Sequence, residues 1–509
     1  MAHVRHLTPQ TGTIQRVTVS RPLRLFNSLG RRVEDFTPAT DGPDTVVRLY
    51  SCGPTVYSYA HIGNLRAYTF ADTLRRALLW KGLQVEHVIN ITDVGHAVAE
   101  AELGEDKLEV AAARERRSVE EIAAMYTEAF FADLAALNIL PAHHYPRATQ
   151  YVEQMIAFAE RLVERGFTYE IESGLYFDTS KDPTYGQLGL IDVSGQLEGA
   201  RVEEVPGRRA KTDFALWRTE APGQLRAMRW NSPWGWGAPG WHLECSVMSM
   251  LLLGEHFDIH TGGVDHRQLH HVNEIAQSEA YLGDGQPWVR FWLHNEFLQL
   301  GSAKISKSAG HILTVSDLAE QGFHPLAYRL FLLGGHYRAQ LEFTLAGLDS
   351  AQSTLRRLVR RTSSLGELPS VTTADEARAA AGDDAAAVAV IDQIDDAISS
   401  DLNTPRVLAL LQDSLRDQAL SEAGQRAVVA ACAAVLGLPF GQLTPADLEP
   451  AATGLPELDE AAVEQLVADR EAARVARDWA RADALRAQLT ELGVQVTDTA
   501  DGPTWTRVG

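Results

Sequence analysis

Three cysteines in 509 residues, Cys52, Cys245 and Cys432, are too few and too scattered for a disulfide framework. Their scarcity excludes small secreted scaffolds and fits a reducing cytoplasm. No run of about 20 apolar residues occurs, so no membrane-spanning helix is expected. The first twenty residues carry His3, Arg5, His6 and Arg16 but no apolar stretch of the kind that forms a signal-peptide core. Positive charge is also short. Lys plus Arg number 46 against 67 Asp plus Glu, a formal net charge of −21, which excludes a wholly basic nucleic-acid coat. No tandem repeat of fixed period is found. What the chain does have is length and apolar content, 45% hydrophobic, enough for three or four domains each with its own core.

The run Val46 to Gly53 is short, rich in β-branched residues and closed by Gly53-Pro54, which predicts a buried strand. Leu65, Tyr68, Ala71, Leu74 and Leu78 recur at helical spacing up to Gly82, and Val85 to Thr92 reads as a second strand. Strand, helix, strand over roughly 45 residues is the spacing of a βαβ unit, whose ligands sit at the carboxyl ends of its strands. Cys52 to Asn64 is therefore a candidate site. From about Pro141 the texture changes. An amphipathic helix (Tyr151 to Arg165), short strands (Phe167 to Ile171, Leu175 to Phe177) and a Trp- and Gly-rich run (Trp230 to Trp241) read as an insertion. Strands at His256 to His260 and Trp292 to Leu300 around a helix from about Leu269 to Leu282 resume the α/β character, and one helical stretch is predicted from Leu326 to about Leu365. Glu367 to Glu460 is Ala-rich, helical in pattern and carries seventeen acidic and four basic side chains, a net of −13. Pro439, Pro445, Pro450 and Pro456 predict a linker. Leu458 to Leu492 is then helical, and Gly493 to Val508 a hairpin with Asp501-Gly502 as its turn.

Two motifs carry phosphate chemistry. His61-Ile62-Gly63-Asn64 stands just before a helix: Gly63 admits a phosphate close to backbone, the helix N-terminus offers free N–H groups, and His61 and Asn64 can donate to phosphoryl oxygens. The same residues read equally as a loop histidine and a capping asparagine. Lys304-Ile305-Ser306-Lys307-Ser308 brackets hydroxyls with two cations that can neutralise charge on a leaving phosphate, or forms a solvated loop. Cys52 and Cys245 are each open to reading as a small buried hydrophobe, and His270 with Glu274, at i and i+4, as either a helix-surface pair or two ligands of one ion. Gly262-Gly263 before Asp265 suits an adenine and ribose, or a capped turn. Arg470, Arg474, Arg477 and Arg481 would share one face of an unbroken helix, unless Asp478 caps a new one.

Taken together, the His-Ile-Gly-Asn and Lys-Ile-Ser-Lys-Ser motifs resemble the two nucleotide-binding signatures of class I aminoacyl-tRNA synthetases. Their neighbours narrow the resemblance to the cysteinyl-tRNA synthetase family. These are Cys52-Gly53-Pro54-Thr55-Val56-Tyr57, Asn90-Ile91-Thr92-Asp93, Gly240-Trp241-His242-Leu243-Glu244-Cys245-Ser246, the segment His270 to Ser278, Asp401-Leu402-Asn403-Thr404-Pro405 and the segment Arg474 to Trp479. The resemblance runs from about Pro22 to Val508. It implies an α/β fold: an interrupted Rossmann-type parallel-sheet catalytic domain with a connective insertion, a mostly helical C-terminal part and a small α+β end module. The implied divisions are an extension at 1–20, catalytic halves at 21–140 and 237–300, the insertion at 141–236, the Lys-Ile-Ser-Lys-Ser loop and stem-contact helices at 301–365, the acidic bundle and linker at 366–456, and an anticodon module at 457–509.

The resemblance also implies a two-step ligase: ATP-dependent activation of L-cysteine to the adenylate with release of pyrophosphate, then transfer to the terminal adenosine of tRNA(Cys). It assigns Cys52, Cys245, His270 and Glu274 to one Zn2+, which would select cysteine over serine by its affinity for thiolate. ATP, with Mg2+, falls to His61, Gly63, Asn64, Gly262, Gly263, Asp265, Lys304 and Lys307, of which His61, Asn64, Lys304 and Lys307 would be catalytic. Gly53, Thr55, Thr92, Trp241 and His242 would line the cysteine pocket, and Arg474, Trp479, Asp483 and Asp501 would read the anticodon. A cytoplasmic monomer is expected, and Cys432 is expected in a core. Departures from the family pattern are Asn64 for a second histidine, Thr261 for a glycine, Val94-Gly95-His96 for an acidic pair, and His266 to Leu269 for a more apolar run. Two rivals are a cysteine ligase acting on a small amine, as in mycothiol-pathway relatives, and a weakened paralogue that only binds tRNA.

Overall fold

The structure is a computed structural model, and it describes residues 21–39, 45–95, 106–189, 205–220, 223, 226–300, 313–449, 460–476, 478–491, 494–499 and 502–507. Four parallel strands form the central sheet in the spatial order Val289–Asn295, Phe257–Gly263, Val46–Ser51, Gln84–Ile89. Two of these are close in sequence and two lie about 200 residues later, so the α/β unit is interrupted as expected. All four are largely buried, as a parallel sheet covered on both faces must be. The helix Ile62–Trp80 crosses between Val46–Ser51 and Gln84–Ile89 and buries Leu65, Leu74, Ala77 and Leu78 completely.

The inserted stretch builds a five-stranded antiparallel sheet, ordered Thr168–Ile171, Gly174–Phe177, Phe214–Thr219, Gly235–Pro239, Trp230–Ser232. It shares one hydrophobic core with the helices Val152–Glu164, Trp241–Leu253 and His270–Leu282, through Phe177, Trp217, Leu243 and Trp288. Beyond it come Pro325–Leu333, Leu345–Ser363 and four helices of the acidic region, Ala374–Ala381, Ala385–Ser399, Thr404–Ser414 and Glu422–Leu436. Cys432 is wholly buried in the last of these, as a core residue.

Three expectations need correction. The helix predicted from Leu326 to Leu365 is two helices, interrupted at Gly334 by a turn and by the strand Leu341–Phe343. That strand pairs with Leu298–Leu300, the separated end of the expected Trp292 to Leu300 strand. Part of the expected linker is packed rather than loose: Leu438, Phe440 and Leu448 are buried, and Arg356 Nε donates to Leu448 O at 3.2 Å. The arginine row follows the second of its two readings, with Asp478 opening a new helix. Glu460–Val475 and Trp479–Glu491 are separate helices, Asp478 Oδ1 accepts the Arg481 N–H at 3.1 Å as a cap, and Arg470 is buried while Arg474 is half exposed. The hairpin is formed, Val494–Thr499 against Gly502–Arg507, with Gly502 paired to Thr499; Asp501 lies outside the described residues.

Candidate active site

The carboxyl ends of the sheet strands meet the N-terminus of Ile62–Trp80. Gly53 follows the first strand and donates its N–H to Asn90 Oδ1 at 2.8 Å; a Cβ there would lie 1.5 Å from Asn90 O, so only glycine lets these two segments touch. His61 is the N-cap. Its Nδ1 accepts the Asn64 N–H at 3.1 Å while Asn64 Oδ1 accepts the His61 N–H at 3.2 Å, a reciprocal capping box. Burial lowers the His61 pKa against the pull of Asp265, favouring the neutral ring. With Nδ1 accepting, the proton of that neutral ring is on Nε2, leaving a donor for a ligand at the helix end. The capping and phosphate readings of this motif are thus compatible.

The Lys304 and Lys307 pair lies outside the described residues, but both flanks of that segment return to the same helix. The Ile62 N–H donates to Leu313 O at 2.9 Å, and Arg66, buried one turn on, donates to Phe297 O. Arg66 Nη2 also donates to Ala339 O at 2.5 Å, holding the turn before the Leu341–Phe343 strand.

Beneath this edge the ligand atoms of Cys52, Cys245, His270 and Glu274 all lie within 4.8 Å of one another. Strand and helix periods explain the convergence: Cys52 continues the central strand just past Ser51, Cys245 is one turn into Trp241–Leu253, and His270 and Glu274 are one turn apart on His270–Leu282. His270 Nε2 is 3.4 Å from Cys245 Sγ and 2.9 Å from Glu274 Oε1. Glu274 Oε1 is buried yet has no hydrogen bond of acceptable geometry, a vacant acceptor aimed into the cluster. Burial raises the Cys245 thiol pKa, but the Cys52 hydrogen bond and the neighbouring His270 outweigh it and bring it to about 7. Burial and the neighbouring Cys245 push Cys52 the other way. A second set, Cys52, His260, His271 and Glu274, converges as closely; with only one sulfur it suits a thiophilic ion less well.

The remaining expected pocket residues surround this cluster. The Trp241 ring lies over His270 with centroids 4.3 Å apart. Buried Thr92 donates from Oγ1 to Glu244 Oε2 at 2.9 Å, accepts from Asn90 Nδ2 at 3.1 Å, and is bridged to Thr55. Burial raises the Glu244 pKa to about 8, against the Thr92 hydrogen bond. Both ring nitrogens of His242 are engaged, with His270 and Asn273, so this histidine supports the cluster. Gly262 and Gly263 end the strand Phe257–Gly263, and Asp265 is exposed in the short helix that follows. A Cβ on Gly262 would lie 2.7 Å from the rings of both His266 and His271. In the C-terminal helices, Arg474 pairs with Glu471 at 3.0 Å and Asp483 is exposed; the Trp479 side chain and Asp501 lie outside the described residues.

Sequence reasoning missed Tyr50, His260, His271, Asn273 and Glu244, all buried in or beside the cluster. A signal existed. His270, Asn273, Glu274 and Gln277 place four polar side chains at helical spacing on a buried helix, and Tyr50 is on the strand Val46–Ser51, two residues before Cys52.

Comparison with known proteins matches residues 40–353 to the family described as the tRNA synthetases class I (C) catalytic domain, and residues 455–505 to the cysteinyl-tRNA ligase anticodon binding domain. The cysteine–tRNA ligase of Zymomonas mobilis is 45% identical over 505 residues, covering 94% of this chain and 96% of the relative. That of Novosphingobium aromaticivorans is 48% identical over 485 residues, again covering 94% and 96%. Among solved structures, Mycobacterium tuberculosis methionyl-tRNA synthetase in complex with methionyl-adenylate superposes with a TM-score of 0.50 at 16% identity, over 82% of this chain and 94% of that one, a likeness of fold.

Proposed function

The chain belongs to the cysteinyl-tRNA ligase family of class I synthetases, and from that premise we propose that it charges tRNA(Cys) with L-cysteine in two steps at the edge of the parallel sheet. The observation that carries cysteine selection is the convergence of two thiols, an imidazole and a carboxylate within 4.8 Å. This donor set fits Zn2+. Cys52, Cys245, His270 and Glu274 would hold the ion, which when bound supplies a soft Lewis acid that takes a thiol far more readily than a hydroxyl.

The protein's own groups account for the rest. Trp241 lies against His270 of the cluster, and Thr92 is fixed by Glu244 and by Asn90, whose Oδ1 lies 3.8 Å from Cys245 Sγ. Oriented there, the cysteine carboxylate attacks the α-phosphate of ATP, forming cysteinyl adenylate as pyrophosphate leaves. His61 Nε2–H and the Asn64 side-chain amide donate to phosphate oxygens at the N-terminal, positive end of the Ile62–Trp80 helix. Lys304 and Lys307 add cationic charge on the leaving pyrophosphate, Mg2+ accompanies ATP, and Asp265 with Gly262 and Gly263 holds the adenosine. The tRNA terminal adenosine hydroxyl then attacks the mixed anhydride and AMP leaves. The match over 455–505 favours tRNA over a small amine as acceptor. Among the described residues no helix is long and apolar enough to cross a membrane; a cytoplasmic monomer is part of the same proposal.

Cysteine-dependent exchange of pyrophosphate into ATP, followed by charging of tRNA(Cys) against a small-amine control, tests this reading. Lys307→Ala should slow exchange by about 10²–10³-fold, the usual cost of one transition-state electrostatic contact, with zinc content unchanged. An unaltered exchange rate would remove Lys307 from the mechanism. Arg474→Ala should lower kcat/KM for charging about tenfold, at 1–3 kcal/mol per lost base contact or less, while leaving exchange alone. Equal losses in both assays would mean that Arg474 supports the fold.

A further inference from the structure

Behind the candidate metal cluster runs a chain of buried hydrogen bonds. His270 presents Nε2 to Cys245 and Glu274 and Nδ1 to His242 Nδ1, 2.9 Å away. His242 Nε2 lies 3.0 Å from Asn273 Nδ2; Asn273 Oδ1 lies 2.8 Å from Tyr185 Oη, which is also 3.3 Å from Thr212 O. His242, His270, Asn273 and Tyr185 are all buried, with at most 8% of any one exposed, so none of these groups has bulk water as an alternative partner.

Such a chain has two polarities. With the Asn273 amide nitrogen toward His242, His242 accepts at Nε2 and donates from Nδ1, so neutral His270 must accept at Nδ1. Its only proton then sits on Nε2, the atom facing the cluster, and the ring cannot ligate an ion. A half-turn of the Asn273 amide reverses every bond. His270 Nδ1–H donates to His242 Nδ1, His242 Nε2–H donates to Asn273 Oδ1, the amide N–H donates to Tyr185 Oη, and Tyr185 O–H donates to the Thr212 carbonyl. Every donor keeps an acceptor, no charge changes, and the His270 Nε2 lone pair is free.

We propose that Tyr185, Asn273 and His242 form a relay that sets the tautomer of His270, and that Asn273 is the positioning residue whose amide orientation makes the cluster competent to bind metal. The proposal rests on the reading of His270 as a ligand. It goes further in assigning work to residues outside the ligand set: a metal-bound histidine usually fixes its second nitrogen on a carboxylate or carbonyl, and here that task passes to a second histidine and an amide.

Zn2+ affinity by chelator competition and the visible absorption of the Co2+-loaded full chain test it without reference to activity. Asn273→Asp presents oxygen to both neighbours, which fixes the metal-binding polarity, and should keep Zn2+ affinity within about threefold of wild type. Asn273→Leu, of similar size, removes the relay and should lose about 10–100-fold, the usual cost of an outer-shell partner, with a shifted Co2+ spectrum. If packing alone mattered, the buried charge of Asp would be worse than Leu. Asp as weak as Leu, or Leu equal to wild type, would overturn the relay. Should Asn273→Leu fail to fold, Tyr185→Phe decides: Zn2+ binding a few-fold weaker at unchanged melting temperature supports the proposal, and unchanged binding refutes it. A wild-type chain that binds no Zn2+ would instead defeat the ligand reading itself.

Discussion

Cys245→Ala should abolish stoichiometric Zn2+ binding and slow cysteine-dependent pyrophosphate exchange by more than about a hundredfold, since loss of even an outer-shell partner costs 10–100-fold. KM for ATP should move little, because the phosphates are assigned to the capped end of Ile62–Trp80 rather than to the cluster. The argument is one of donor chemistry. Removing Cys245 leaves one sulfur, one imidazole and one carboxylate, a set with weaker preference for a thiophilic ion. Discrimination against serine should fall with it, toward the 1–3 kcal/mol that pocket shape alone supplies. Cys432→Ala is the matched control: it removes an equally buried sulfur from the Glu422–Leu436 helix and should leave zinc and exchange intact. Chelation of the wild-type chain should reproduce the Cys245→Ala loss, and added Zn2+ should reverse it. A Cys245→Ala chain that retains both the ion and its exchange rate would remove Cys245 from the ligand set.

Much of this site was legible in the sequence because its parts sit where local rules place them. Val46 to Gly53 announces a strand through its β-branched run and Gly53-Pro54, and His61 to Asn64 announces a helix start, so the capped helix end follows from neighbours in the chain. Cys52 and Cys245 are different. They stand 193 positions apart, and nothing in either neighbourhood says that the strands on which they depend pair through Ile259 and Leu49. Only the family resemblance joined them. The same limit explains the missed break after Leu333: Leu341–Phe343 is a strand because Leu298–Leu300 lies beside it, a non-local pairing that overrides the apolar spacing read as one long helix. The proline-rich stretch from Pro439 was read as a linker by composition, yet Phe440 and Leu448 are buried in the main core and the Pro445–Leu448 turn packs against the Leu345–Ser363 helix. Tyr185 escaped notice because an isolated tyrosine has no local signature; its meaning comes from the burial of the chain it completes.

Arg329→Ala should lower stability by about 3–5 kcal/mol, the cost of leaving a buried charge without its partner, read as a lower urea midpoint. Arg329 is wholly buried in Pro325–Leu333, where Nη2 pairs with Asp72 of Ile62–Trp80, Nε donates to Leu436 O at 2.8 Å and Nη1 to Leu137 O at 2.8 Å. One guanidinium thus ties the Ile62–Trp80 helix to the end of Val119–Ala136 and to the acidic bundle. Gly437 leaves room for it: a Cβ there would lie 2.2 Å from Arg329 Nη2. Burial favours a protonated Asp72, but the charges of Arg329 and Arg76, with the Leu140 N–H, hold its pKa below the ordinary carboxylate value. A depressed folded pKa gives stability that is present above the unfolded value and is lost as pH falls through the folded one. Without Arg329, burial weighs more heavily against the Asp72 carboxylate. The deficit of Arg329→Ala should therefore be largest at neutral pH and should narrow below about pH 4, where Asp72 of the unfolded chain is protonated as well. Arg329→Lys keeps the charge but cannot reach Asp72, Leu137 and Leu436 together, and should recover less than half of the loss. A deficit that is independent of pH, or fully repaired by lysine, would mean that the loss comes from packing volume rather than from the Asp72 pairing.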